Sequence, residues 1–302
     1  MVGKQIINKL KDTTNLTLVS HNNPDVDAIL SLNLFSKVLK SYKINYKIVL
    51  LTEPDFTTKA IIKRNQLSIF QEYKKEIKKE DKLFCLDCFT LCDYESQIIG
   101  CIDHHPTKLK NNYIIHDNGY YSSTTKRIFD LFIENNPLFK EDYKEFAIQT
   151  LYSIYIDTNS LKSSKFNILD NKWISETIQK YSLDEKQLIE EGFCFTDLSL
   201  TTKELILNGY KNYYLPNKKS AIISYLILKE TSEKLINNLL LEMKKYKKEN
   251  KIDYFWMILY EIEKDLTILL IVKNSKIQIK KYNCILSRSI DVYPLLEKQN
   301  MK

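Results

Sequence analysis

The stretch LVSHNNPDVDAILS (18–31) decides how the chain is read. LTLVS (16–20) predicts a short buried strand. DAILSLNLFSKVLKSY (27–42) spaces Ile29, Leu30, Leu32, Leu34, Phe35, Val38 and Leu39 at largely helical intervals. Between strand and helix stand His21, Asp25 and Asp27, although the chain holds only 4 histidines in 302 residues. Two more histidines are adjacent, in IDHHPT (102–107), again behind an apolar run.

Working outward, NYKIVLL (45–51), KLFCLD (82–87) and QIIGCID (97–103) predict further strands, the last two each ending in an aspartate; YIIH (113–116) predicts a fifth. Helices are expected over part of 57–77, over 122–135 behind Ser and Thr caps, and over 140–158 and 171–181. Short apolar strands alternating with helices give an α/β fold, a parallel sheet with helices on both faces. We place this catalytic domain at 1–190, a helical linker at 191–215 and a smaller α+β domain at 216–302. In the smaller domain, 220–229 reads as a strand and 231–249 as an amphipathic helix. A strand pair over 254–262 and 267–274 follows, joined through EKDL.

Composition narrows the chemistry. With five glycines and neither G-x-G-x-x-G nor G-x-x-x-x-G-K-[ST], the chain lacks the usual glycine-rich phosphate cradles. The net charge of +7 suits an anionic substrate, but runs such as MKKYKKENK (243–251) read as a solvated helix face. Cys85, Cys88, Cys92 and Cys101 are spaced loosely like a zinc knuckle. Cys85 and Cys101, however, lie inside strand-like apolar runs, where cysteine packs as a small hydrophobe. There is no apolar leader at the N-terminus and no run long enough to span a bilayer. The expectation is a cytoplasmic protein with reduced thiols, not attached to a membrane, for which a homodimer is an open option.

In an open parallel sheet, ligands bind beyond the carboxyl ends of the strands. His21, Asp25 and Asp27 follow the first strand, Asp87 ends the third, and Asp103, His104 and His105 end the fourth. Asp157 closes an apolar helix that can pack across the sheet. Carboxylates with neutral imidazoles suit Mn²⁺, Mg²⁺, Fe²⁺, Co²⁺ or Zn²⁺. Four aspartates at one edge repel one another unless cations intervene, and two ions about 3.5–4 Å apart would relieve them and activate a hydroxide. Asp25 also reads as a helix cap, so capping and metal binding compete there.

SHNNPDVDAILS resembles the first motif of the DHH phosphoesterase superfamily, H-x-x-P-D-x-D-A. CLDC is similar to its second motif, IDHHPT to the Asp-His-His signature, and SIYIDTNSL to the fourth motif. The resemblance implies that His21, Asp25 and Asp87 hold one divalent cation, and that Asp27, Asp87, His104 and Asp157 hold the other, with Asp87 bridging. The ions expected are Mn²⁺, or Mg²⁺ or Co²⁺. His105 would face the substrate as an acid, and Asp103 would orient a ligand imidazole. Ser122 and Ser123 would offer hydroxyls or N–H groups to phosphate, or simply cap a helix.

The fourth motif departs from the family: Ser153 and Asn159 replace glycines, and Leu161 replaces an aromatic residue. The branch that degrades very short oligonucleotides and 3′-phosphonucleotides ends in S-x-R-S and a glycine-histidine segment. Here Ser287, Arg288 and Ser289 resemble the first element, with Arg288 as a candidate phosphate contact, and no histidine follows His116. The function expected is hydrolysis of small nucleotide-type phosphate esters by metal-bound hydroxide. The alternatives are a pyrophosphatase or polyphosphatase, and a nucleotide-binding protein without turnover.

Overall fold

β1 (Leu16–Val19) is buried along its whole length, as a strand covered on both faces must be. The computed structural model describes residues 2–67, 76–105, 115–193, 195–215, 219–273 and 276–298. Helices and strands occur in the order α1 (Val2–Lys11), β1, α2 (Val26–Ser41), β2 (Lys47–Val49), α3 (Phe56–Arg64), β3 (Lys82–Leu86), β4 (Ile98–Asp103), β5 (Ile115–Asn118), α4 (Thr124–Ile128), α5 (Tyr143–Asp157), α6 (Asp170–Tyr181), α7 (Glu185–Phe193), α8 (Thr202–Ile206), β6 (Lys211–Tyr214), β7 (Ser220–Ile227), α9 (Glu233–Glu249), β8 (Tyr254–Glu261), β9 (Leu266–Lys273), β10 (Lys276–Tyr282) and α10 (Tyr293–Lys298).

The chain forms two compact units. The first comprises Met1–Pro54, Thr58–Asp157 and Phe166–Gly192; the second comprises Asp55–Thr57, Thr158–Lys165 and Phe193–Lys302. The first unit contains a five-stranded sheet in the order β2-β1-β3-β4-β5, parallel throughout. Alternation along the strands sorts its core. Phe84 stacks on Phe35 of α2 with centroids 5.1 Å apart, while Val19, Val49, Cys85 and Cys101 pack together in a cluster with Leu83, Phe89 and Ile98. The α/β expectation is met. Cys85, Cys88 and Cys101 are buried free thiols, and among the described residues no cysteine joins a metal-binding group. Burial first, then the Cys85 thiol, pushes the Cys101 thiol well above its ordinary range, so it packs and does not react. The side chain of Cys92 and the end of the expected helix at 57–77 lie outside the described residues.

The second unit carries a mixed sheet in the order β10-β9-β8-β7-β6, in which only β7 and β8 run parallel. Ile222, Leu226, Phe255, Met257, Leu259, Ile268, Leu270 and Val272 form one apolar set with Leu239, Leu240 and Met243 of α9 and Leu205 and Ile206 of α8. β6 lies within the stretch read from sequence as a helical linker, and β10 adds an edge strand beyond the expected pair. β10 carries Lys276, Lys280 and Lys281, the kind of charge that discourages a sheet edge from pairing further. Among the described residues no helix is long and apolar enough to cross a membrane.

Candidate metal centre

The carboxyl ends of β1, β3 and β4 bring the expected ligands together. β1 ends at Val19, and the loop after it carries His21 to the start of α2. Asp25 is the N-cap of α2, and its Oδ1 accepts the N–H of Ala28 at 3.3 Å. Its Oδ2 lies 3.6 Å from His21 Nε2. The two readings of Asp25, as cap and as ligand, are therefore compatible, one oxygen serving each.

Asp87 follows β3 in a left-handed conformation, φ 56°, with its N–H bonded to Ile102 O. Aspartate is among the few non-glycine residues that tolerate this region. Its carboxylate faces two ways: Oδ2 is 3.4 Å from His21 Nε2, and Oδ1 is 3.5 Å from His104 Nε2. His104 Nε2 also lies 3.7 Å from Asp27 Oδ2 and 3.2 Å from Asp157 Oδ2. Three groups have the ligand spacing of an ion: His21 with Asp25 and Asp87, Asp27 with His104 and Asp157, and Asp87 with His104 and His105.

The tautomers identify what these groups want. His104 Nδ1 is 3.0 Å from the carbonyl of Tyr121, and His21 Nδ1 is 2.8 Å from that of Asn22. A carbonyl only accepts, so each Nδ1 carries a hydrogen, and Nε2 is the atom each ring turns toward carboxylate oxygens. Carboxylates crowded into one buried site repel one another, and a cation converts that repulsion into coordination. Ligands at about 2.1 Å from one ion sit roughly 3.0–3.5 Å from each other, close to the separations here. The donor set fits divalent cations.

Asp87 records the same tension. Burial, then the charge of Asp27, pushes its carboxyl up to about 8, with Asp25 adding to the rise and the His21 hydrogen bond opposing it. Asp103 goes the other way. Burial opposes its charge, but the hydrogen bond and charge of His105 outweigh that and hold it below its usual range. Asp103 holds His105, whereas Tyr121 O orients His104.

Asp27 is heavily bonded. Its Oδ2 accepts Thr124 N at 2.7 Å. Its Oδ1 accepts Thr125 N at 2.9 Å, Thr125 Oγ1 at 2.7 Å and Ser153 Oγ at 2.7 Å. Thr124 Oγ1 donates to Asp87 Oδ1. The N-terminus of α4, expected to offer groups to phosphate, thus spends two N–H groups on this carboxylate. Ser122 Oγ donates to Asp170 Oδ2 at 2.5 Å and accepts Asn167 N, while Ser123 caps α4 by accepting Lys126 N. Thr125 and Ser153 were not singled out from sequence as partners of a ligand; a hydroxyl helix cap and a buried helical serine give no signal of that role.

Beyond Asp157, Asn159, Ser160 and Leu161 are all left-handed, at φ 49°, 56° and 65°. Asparagine is the commonest substitute where glycine is favoured, which accounts for the altered motif after Asp-Thr. In the second unit, Ser287 Oγ accepts Ile290 N and lies 3.4 Å from Ser289 Oγ. Arg288 Nη1 donates to Gly209 O, and its guanidinium lies over the Tyr225 ring at 5.4 Å. His116 sits on β5, with its side chain outside the described residues, as are Pro106 and Thr107.

Among curated proteins none matches the chain. A protein from Methanococcus jannaschii assigned to the family II inorganic pyrophosphatases is similar in structure, with TM-score 0.76 and 20% identity over 95% of this chain and 100% of its own. An exopolyphosphatase-related protein from Bacteroides fragilis has TM-score 0.51 and 18% identity over 98% of this chain and 95% of its own. At these identities the likeness is one of fold, and neither protein is named for the short-oligonucleotide branch expected from the sequence. The segment from strand β1 through helix α5 matches the model of the DHH family, N-terminal domain, over residues 15–156.

Proposed function

We propose that this chain is a phosphoryl hydrolase that binds two divalent cations, Mn²⁺ first among them, and cleaves a small phosphorylated substrate. The observation that carries the reading is Asp87, whose two oxygens each face a different imidazole and ligand group. His21 and Asp25 would complete one site, and Asp27, His104 and Asp157 the other. When bound, the ions supply Lewis acidity, activating a water and screening phosphoryl oxygens.

The chain's own residues do the rest. Asn22 O and Tyr121 O fix both ligand imidazoles in the tautomer that presents Nε2. Asp103 anchors His105 through Nδ1 and orients its ring, so His105 would carry a proton to the leaving oxygen. Its side chain is 27% exposed, enough to meet a substrate.

For the substrate we favour a phosphoanhydride, pyrophosphate or a short polyphosphate. That choice is supported by the extent of likeness to the pyrophosphatase-assigned protein. The second reading is a nucleotide-type ester: a short oligonucleotide, a linear dinucleotide or a 3′-phosphonucleotide. The Ser287-Arg288-Ser289 segment favours it, with Arg288 lying on Tyr225 and Tyr225 beside Tyr260. The test is turnover of purified, Mn²⁺-reconstituted protein on pyrophosphate, tripolyphosphate, a dinucleotide and a 3′-phosphonucleotide. Faster phosphate release from the anhydrides supports the first reading, and preference for the nucleotides supports the second. Mn²⁺ binding with no hydrolysis in the panel would support a nucleotide-binding protein instead.

A further inference from the structure

Asp27 and Asp157 belong to one candidate ion site but stand on different helices, α2 and α5. Ser153 precedes Asp157 by four residues, so the two share a face of α5 one turn apart. Its hydroxyl, fully buried, reaches across to Asp27 Oδ1 at 2.7 Å, a bond between residues 126 apart in the chain. A second buried bond, Asn33 Nδ2 to Gln149 Oε1 at 2.8 Å, joins the same two helices further along.

We propose that Ser153 is a positioning residue for one of the two ions: it sets Asp27 against Asp157 and turns Asp27 so that only Oδ2 faces the site. Oδ1 is taken by Ser153 and twice by Thr125, which fills the lone pairs a carboxylate oxygen offers. Asp27 then ligates through a single oxygen, close to His104 Nε2. A flexible two-oxygen grip, which suits a large ion such as Ca²⁺, is closed to it. His21 and Asp25 of the other site lie on the loop before α2, and Asp25 bonds to its own helix, so the bond from Ser153 to Asp27 bears on one site. The inference rests on the two-ion reading above, and it makes that centre asymmetric.

The test is Mn²⁺ titration of metal-stripped protein, read by calorimetry and by the manganese spin signal, for the wild type, Ser153→Ala and Ser36→Ala. Ser36 is an equally buried hydroxyl whose bond stays within α2, to Asn33 O at 2.7 Å, and it controls for loss of a buried hydroxyl as such. In Ser153→Ala one of two sites should weaken about 10-fold or more while the other stays within about 2-fold. Ser36→Ala should leave both within about 2-fold. Equal weakening of both sites in Ser153→Ala, or no change at either, overturns the proposal. A wild type that takes up a single ion refutes the two-ion reading separately; the inference then holds only if Ser153→Ala weakens that one site, and is overturned if it does not.

Discussion

One oxygen of Asp103 accepts both the Nδ1–H of His105, at 2.9 Å, and the backbone N–H of the same residue, at 3.1 Å. The pair is a rigid unit at the end of β4: the backbone bond fixes the turn, and the side-chain bond fixes the ring. Such an arrangement orients an acid without making Asp103 a metal ligand.

Asp103→Asn should therefore lower kcat about 100-fold or more while Mn²⁺ affinity stays within about 2-fold. The amide fills the same space but, being neutral, holds the Nδ1–H of His105 less strongly than a carboxylate does. Steady-state kinetics beside metal titration checks this. Parallel loss of metal binding would show that Asp103 supports the ligands instead.

Asp87→Asn should cut turnover about 100-fold or more and reduce Mn²⁺ stoichiometry below that of the wild type. Asparagine keeps the left-handed backbone, since it tolerates φ near the 56° found here, so the fold should survive. What disappears is the charge that opposes two cations and the second anionic oxygen that links the two groups. Turnover of the variant at saturating Mn²⁺, compared with the wild type, decides it.

Much of this was legible in the sequence because the elements concerned announce themselves. β1, β3 and β4 are apolar runs that stop at polar residues, and α2 and α5 hold helical spacing over several turns. The histidines and aspartates fall where those runs end, so placing the strands places the site. β6 and β10 escaped for the opposite reason. Each is an edge strand, KNYY or KIQIKKY, whose pairing is imposed by its neighbour and whose side chains stay largely exposed. The bonds from Thr125 and Ser153 to Asp27 were equally hidden, because they depend on how α4 and α5 pack against α2.

The raised carboxyl of Asp87 fixes a pH dependence. In the unfolded chain this group ionises near its ordinary value of 3.8, and in the folded, metal-free protein near 8. Between those values the folded state holds the extra proton, so stability falls as pH rises through the window. Metal-stripped protein should thus melt at a lower temperature at pH 8.5 than at pH 6. Cation binding requires that proton to leave, so Mn²⁺ affinity should climb over the same range and binding should release protons. Thermal melts with and without Mn²⁺, at both pH values, check the sign. A metal-free protein that grows more stable toward pH 8.5 would contradict it.

Arg288 offers the sharpest test of substrate contact in the second unit. Its guanidinium is held from two sides, by Gly209 O and by the Tyr225 ring, and Tyr225 OH is itself bonded to Asp55 at 3.1 Å. Gly209 is left-handed, φ 54°, and a Cβ there would run into the Tyr225 ring, so glycine leaves that ring its place beneath the guanidinium. If Arg288 binds a phosphoryl group of the substrate, Arg288→Ala should raise KM about 10-fold with kcat little changed, the mark of binding shared by ground and transition states. Arg288→Lys should recover only part of the loss, because an ammonium keeps the charge but cannot present two parallel N–H donors to phosphate. A variant that lowers the melting temperature without moving KM would instead place Arg288 in the packing of Gly209 against Tyr225.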